Sequence, residues 1–134
     1  MYFLDTDVLS ELVKRRPSRT LVARLEAVPP EALFTSSICV MELRFGASRR
    51  APEGHLWAQM QQRILSRVKV LPFSCKEAMI AGEALDRLYA AGRPIGIEDV
   101  MIGSVAMSNG LVVVSGNTKH FSRISGLRVE NWLH

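Results

Sequence analysis

The sequence predicts an α/β domain built on a short, mostly parallel sheet flanked by helices. Short apolar runs alternate with longer segments of helical periodicity along the whole chain, the pattern of helices layered on a parallel sheet. The run Leu111-Val112-Val113-Val114 is continuous and largely β-branched, as a strand buried on both faces should be. No repeat or linker interrupts the pattern, and 134 residues suit one domain.

Tyr2-Phe3-Leu4 reads as a buried strand, and Asp5-Thr6-Asp7 offers capping side chains for a helix through Val8, Leu9, Leu12 and Val13. A second helix is expected from Ser18 to Ala27, with Leu21, Val22 and Leu25 on its apolar face, ended by Pro29-Pro30. Ala32 to Thr35 is the next strand. Ser36-Ser37 then cap a helix whose apolar face carries Ile38, Met41 and Phe45, with Glu42 among them. Pro52-Glu53-Gly54 separates this helix from another through Leu56, Met60, Ile64 and Leu65. A strand from Val68 to Leu71 stops at Pro72, and a strong helix from Lys76 to Ala90 closes at Gly92-Arg93-Pro94. The last elements are a helix from Ile97 to Ser108, the strand Leu111 to Val114, and a short strand at Leu127-Arg128-Val129.

Composition narrows the function classes. Apolar content of 48% excludes a disordered chain, and no apolar run approaches the ~18 residues of a membrane span. The start Met1-Tyr2-Phe3-Leu4-Asp5 lacks the basic region of a signal peptide, and Cys39 and Cys75 are too few for a disulfide framework. A cytoplasmic protein is the expectation. The net charge of +4 permits a polyanionic partner without requiring one.

In a parallel sheet, ligands gather outside the carboxyl ends of the strands, so the acids near those ends are the candidate site. Asp5 ends the first strand, Glu42 lies on the helix leaving the second, Asp99 opens the helix before Leu111, and Asn117 follows Val114 in Ser115-Gly116-Asn117-Thr118. Each has an ordinary alternative: Asp5 as a helix cap, Asp99 as a first-turn carboxylate, Asn117 as a turn residue. Glu42 is harder to set aside, because Ile38, Cys39, Phe45 and Gly46 surround it at helical spacing, and a buried acid needs a partner. Gathered carboxylates suit a hard divalent cation such as Mg²⁺, which turns water into a nucleophile and neutralises phosphate. Zinc fits poorly: the three histidines His55, His120 and His134 have no ligand spacing. Neither a Walker loop nor a GxGxxG or G-x-S-x-G element occurs. Cys39 reads as a buried thiol. Trp57 and Trp132 read as core or interface residues, with base stacking as the alternative.

Three motifs resemble those of PIN-domain ribonucleases, in particular the VapC toxins of bacterial toxin–antitoxin pairs. They are Leu4-Asp5-Thr6-Asp7-Val8-Leu9-Ser10, the segment from Thr35-Ser36-Ser37-Ile38 through Met41-Glu42-Leu43 to Gly46-Ala47, and Gly92 through Asp99 to Gly103. Asn117-Thr118-Lys119-His120-Phe121 and the closing Gly126 to Trp132 follow in order. The resemblance covers essentially the whole chain. It implies a PIN-like three-layer sandwich spanning residues 1–134 as a single domain. It also implies Asp5, Glu42 and Asp99 as ligands of Mg²⁺ or Mn²⁺, and Asn117 as a polar residue beside the metal or the phosphate.

The resemblance further implies an endoribonuclease leaving 5′-phosphate and 3′-hydroxyl ends, with initiator tRNA cut in its anticodon loop as substrate. A VapB-type antitoxin, a homodimer, and DNA contact only through the antitoxin complete the implied partners. Where relatives often carry a further acid, this chain has His120, which either contacts phosphate or packs beside Phe121. Gly103-Ser104 replaces a usual pair of alanines and still permits close helix packing. The competing reading is a non-catalytic PIN subunit that joins an antitoxin in binding DNA, motivated by His120 and the basic charge. A DNA-directed nuclease is a further alternative, since the same metal chemistry cuts either backbone.

Overall fold

The computed structural model describes residues 1–134. Five strands, β1 (Tyr2–Leu4), β2 (Leu33–Ser36), β3 (Lys69–Leu71), β4 (Val112–Val114) and β5 (Val129–Glu130), form one sheet in the order β3-β2-β1-β4-β5. Every pairing is parallel, so the expected mostly parallel sheet is wholly so. Seven helices flank it: α1 (Thr6–Glu11), α2 (Arg19–Glu26), α3 (Ser37–Arg50), α4 (His55–Arg63), α5 (Cys75–Ala90), α6 (Ile97–Ser108) and α7 (Thr118–Phe121). Each parallel pair requires a crossover, and these helices supply it. No helix is long and apolar enough to cross a membrane.

The chain runs outward from β1 through β2 to β3, then returns to the other side of β1 as β4. The direction of winding therefore reverses between β1 and β4, the point where an open α/β sheet leaves a crevice at its carboxyl edge. Leu4 pairs with Val114 at that edge. The Asp5 N–H continues the ladder to the Val114 carbonyl at 3.1 Å, which aims the Asp5 side chain off the sheet end. The Thr35 hydroxyl donates to the Leu4 carbonyl at 2.9 Å, tying β2 to the same end.

The apolar periodicity is realised as one core of 27 buried residues. Leu21 of α2, Leu56 and Met60 of α4, and Ile64 just after α4 all belong to it, while Leu25 packs against it partly buried and Val22 is half-exposed. α5 and α6 pack along each other. Glu77 on α5 is almost fully buried, and the Ser108 hydroxyl of α6 donates to its Oε2 at 2.6 Å. Its Oε1 accepts the Ser74 N–H at 3.0 Å and also the Ser74 hydroxyl, one half of a capping box. These bonds hold the Glu77 carboxyl down to about 2, with Ser108 the strongest cause.

Four local expectations differ. α1 ends at Glu11 because the N–H groups of Leu12 and Val13 bond to Leu9 and Ser10 at 3.2 and 3.3 Å, the tighter turn that often finishes a helix. On α3 the buried side is Ile38, Cys39, Leu43 and Ala47, while Met41 and Phe45 are exposed. Glu42 thus lies at the border of the buried side, half-exposed. The last strand is Val129–Glu130, two residues beyond the expected start. α7 is a single turn, too short for periodicity to reveal, and is anchored by fully buried Phe121.

Gly103 behaves as its sequence context predicts. A Cβ there would lie 2.8 Å from Ile124 Cδ1 and 3.2 Å from Leu127 Cδ2, so α6 packs closely against the segment after α7. Trp132 is buried, with an edge contact to Tyr2 at 4.7 Å and the Arg24 guanidinium 5.0 Å from its ring centre. It is structural and is not available to stack a base. Trp57 is partly covered by Arg44 at 5.2 Å.

Candidate active site

Asp5 is the N-cap of α1, its Oδ1 accepting the Thr6 N–H at 2.8 Å. Capping does not exhaust it. Its Oδ2 accepts the Ser115 hydroxyl at 2.8 Å, so β1 and β4 present one hydrogen-bonded pair at the crevice. Only 6% of Asp5 is exposed. Burial, reinforced by the charge of Asp7 and more weakly that of Asp99, raises its carboxyl from 3.8 to about 7 against the pull of the Ser115 and Thr6 donors.

Glu42 reaches the same place from α3. The Thr6 hydroxyl donates to Glu42 Oε1 at 2.6 Å, so one threonine orients both acids, through its N–H and its side chain. Ligand atoms of Asp5, Glu42 and Cys39 lie within 4.8 Å of one another. The Cys39 thiol is fully buried and pushed up to about 11 by that burial and by Asp5. It stays protonated and is neither a ready ligand nor a nucleophile.

Asp99 stands in the first turn of α6, its side chain 23% exposed. The Asn117 amide donates to Asp99 Oδ2 at 3.3 Å. His120 Nδ1 lies 3.1 Å from that same oxygen and 3.0 Å from Asn117 Nδ2. His120 therefore does not simply pack beside Phe121, and its ring, 41% exposed, turns to the acid. Glu98 is exposed.

Two participants escaped the sequence reading. Asp7, which reads there only as a capping and motif residue, accepts the Gly116 N–H on Oδ2 at 2.8 Å and lies 3.5 Å from the Ser115 hydroxyl. Burial raises its carboxyl, and Asp99 adds to the rise. Ser115, fully buried, joins Asp5 to Asp7 and accepts the Asn117 N–H at 2.9 Å. The available signal was a polar residue directly after an apolar strand. Gly116 permits this approach, because a Cβ would sit 2.8 Å from Asp7 Oδ2 and 2.9 Å from Leu133 Cδ1 and one of those side chains would have to move.

The structure thus brings Asp5 and Glu42 into one cluster, while Asp99, Asn117 and His120 form an adjoining one that acts on Asp5 electrostatically. The donor set is carboxylate oxygen from several elements with a protonated thiol behind it. Such hard donors fit Mg²⁺ or Mn²⁺. Burial first, and the charge of Asp7 second, raise the Asp5 carboxyl, and a cation bound beside it would offset both.

A PIN-domain family model matches residues 2–127. The chain is 33% identical over 132 residues to the tRNA(fMet)-specific endonuclease VapC of Shigella flexneri, covering 98% of this chain and 97% of that protein. Among solved structures it resembles FitAcB from Neisseria gonorrhoeae, with a TM-score of 0.91 and 29% identity over 100% of this chain and 99% of that one. It also resembles DNA-bound VapBC from Salmonella typhimurium, with a TM-score of 0.88 and 34% identity over 98% and 97% of the two chains.

Proposed function

Because this chain belongs to the PIN-domain family, within which its relatives are VapC proteins, we propose that it is the toxin of a type II toxin–antitoxin pair, a metal-dependent endoribonuclease. The observation that carries the reading is the meeting of Asp5 and Glu42 at the crevice between β1 and β4, with Asp7 bonded across it and the Asp99–Asn117–His120 group adjoining. Residues 1–134 act as one domain. Asp5, Glu42 and Asp99 hold Mg²⁺ or Mn²⁺, and Asn117 supports them. The bound ion supplies charge neutralisation at the phosphate and lowers the pKa of water.

The chain's own residues prepare that chemistry. Ser115 and the Thr6 N–H fix the two oxygens of Asp5, and the Thr6 hydroxyl fixes Glu42. Glu42, half-exposed, binds the ion or orients the attacking water. The Asn117 amide and His120 hold Asp99 in one orientation. Water rather than the ribose 2′-hydroxyl attacks, so each cut leaves a 5′-phosphate. The name of the Shigella relative supports initiator tRNA as substrate, cut in its anticodon loop, where bases are unstacked and accessible.

The partner is a VapB-type antitoxin, which supplies contact with DNA. VapBC and FitA–FitB assemblies among the similar structures support this reading, some of them bound to DNA. The toxin acts in the cytoplasm as a homodimer. The test is to incubate total RNA with antitoxin-free protein in Mg²⁺, in Mn²⁺ and in EDTA, beside Asp5→Ala, and to sequence the 5′-phosphate ends. Metal-dependent cuts lost in the variant are expected, concentrated in initiator tRNA. Folded protein that cuts nothing with either metal overturns the enzymatic reading and favours the non-catalytic subunit acting with an antitoxin on DNA.

A further inference from the structure

A cleft of about 370 Å³ lies between α5, the end of α6 and the turn after α7, away from the acidic cluster. Ala84, Leu88, Met107 and Ile124 give it an apolar wall, and Arg87, Arg93 and Arg123 line it with a single acid, Glu83. Glu83 makes only a long ion pair of 3.9 Å with Arg87, and neither Arg93 nor Arg123 pairs with a carboxylate. Arg123 donates from Nη1 to the Pro94 carbonyl at 3.0 Å, yet its Nε is buried with no hydrogen-bond partner. A buried donor left unpaired destabilises the protein, and an anionic oxygen is the acceptor that best relieves it.

Guanidinium groups beside an aliphatic wall fit an unstacked nucleotide, its phosphate on the arginines and its base against the wall. The volume suits a small-molecule-sized group. A carboxylate-rich peptide would satisfy the arginines but leave the wall uncovered. Position supports the same occupant. Arg123 is three residues beyond His120, a separation of at most ~11 Å along the chain, and Pro94, to which it is bonded, leads into α6 and Asp99.

We infer that this cleft holds a single-stranded nucleotide flanking the phosphodiester that is cut, and so positions RNA across the acidic edge. The inference rests on the ribonuclease reading above.

The test is fluorescence anisotropy with a labelled short single-stranded oligoribonucleotide in EDTA, which separates binding from cleavage. The double variant Arg87→Ser with Arg93→Ser removes two exposed arginines that take no part in the acidic cluster. It should weaken binding by about tenfold or more, as for one lost charge-assisted hydrogen bond. The slope of log affinity against log salt should fall by about 1.4, at about 0.7 for each phosphate contact on a single strand. The double lysine variant should restore most of that slope, and an oligomer with abasic riboses should bind the wild type more weakly.

Unchanged affinity and slope in the double serine variant, while wild type binds and cuts RNA, overturn the inference and leave the ribonuclease reading standing. Equal binding of the abasic chain overturns the nucleotide pocket. Loss of antitoxin binding with RNA binding intact overturns it in favour of an acidic peptide. Wild type that neither binds nor cuts RNA removes the ribonuclease reading itself.

Discussion

Replacing Asp5 by Asn should make the metal-free protein more stable while abolishing its cleavage of RNA. In the folded chain the carboxyl rises from 3.8 to about 7 through burial and the neighbouring charge of Asp7. Folding therefore favours the protonated form, so the full contribution of Asp5 is present below pH 3.8 and is lost as pH rises through 3.8 to about 7. At ~1.4 kcal/mol for each tenfold change in proton affinity, ionised Asp5 disfavours the fold by ~4 kcal/mol at pH 8 and by less than ~2 kcal/mol at pH 5. Asp5 is 6% exposed, so solvent screens little of this.

Asn keeps an acceptor for the Thr6 N–H but presents a donor or a mismatched oxygen to Ser115, whose hydroxyl then turns toward Asp7 Oδ1 at 3.5 Å. That exchange offsets ~1 kcal/mol. The net gain at pH 8 is ~3 kcal/mol, or a Tm rise of ~10 °C for a domain of this length. Thermal melts of both proteins in EDTA at pH 5 and pH 8 read it directly. Addition of Mg²⁺ should then raise the Tm of the wild type far more than that of the variant. A variant no more stable than wild type at pH 8, or a gap that does not narrow at pH 5, would refute the argument that unrelieved charge is stored in this crevice.

Glu77→Gln should lower the Tm at pH 7, since it replaces the carboxylate that bonds Ser108 and Ser74. Because that carboxyl is held down to about 2, wild type should lose this stabilisation as pH falls from 4.5 toward 2, and melts at pH 7 and pH 3 should converge for the two proteins. Trp132→Ala removes a buried ring, its contact with Tyr2 and its Nε1 bond to Glu130 at 2.9 Å; urea unfolding should show a loss of ~3–5 kcal/mol. Asn117→Ala frees Asp99 and His120 from their shared amide. Cleavage rates should fall by about 10–100-fold, the usual effect of losing a partner that orients a metal ligand, with the melting curve nearly unchanged.

The sequence by itself determined the α/β class, the order of the principal elements and the acids to watch. These follow from local periodicity, capping residues and breakers, and from the rule that a parallel sheet binds at its carboxyl edge. Asp5 after Leu4 and Asn117 after Val114 were legible because each stands directly beyond an apolar run.

What only the tertiary structure decided is which faces meet. Met41 and Phe45 lie at helical spacing from each other and flank Glu42, yet α3 buries Cys39, Leu43 and Ala47 instead, the side on which α4, α1 and α6 pack. The pairing of Asp7 with Gly116, the serine shared between Asp5 and Asp7, and the turn of His120 toward Asp99 all join residues at least 21 positions apart. Hydrogen bonds and charge repulsion act over a few ångströms of space, and only the sheet order, which sets β4 beside β1, brings those positions within that range.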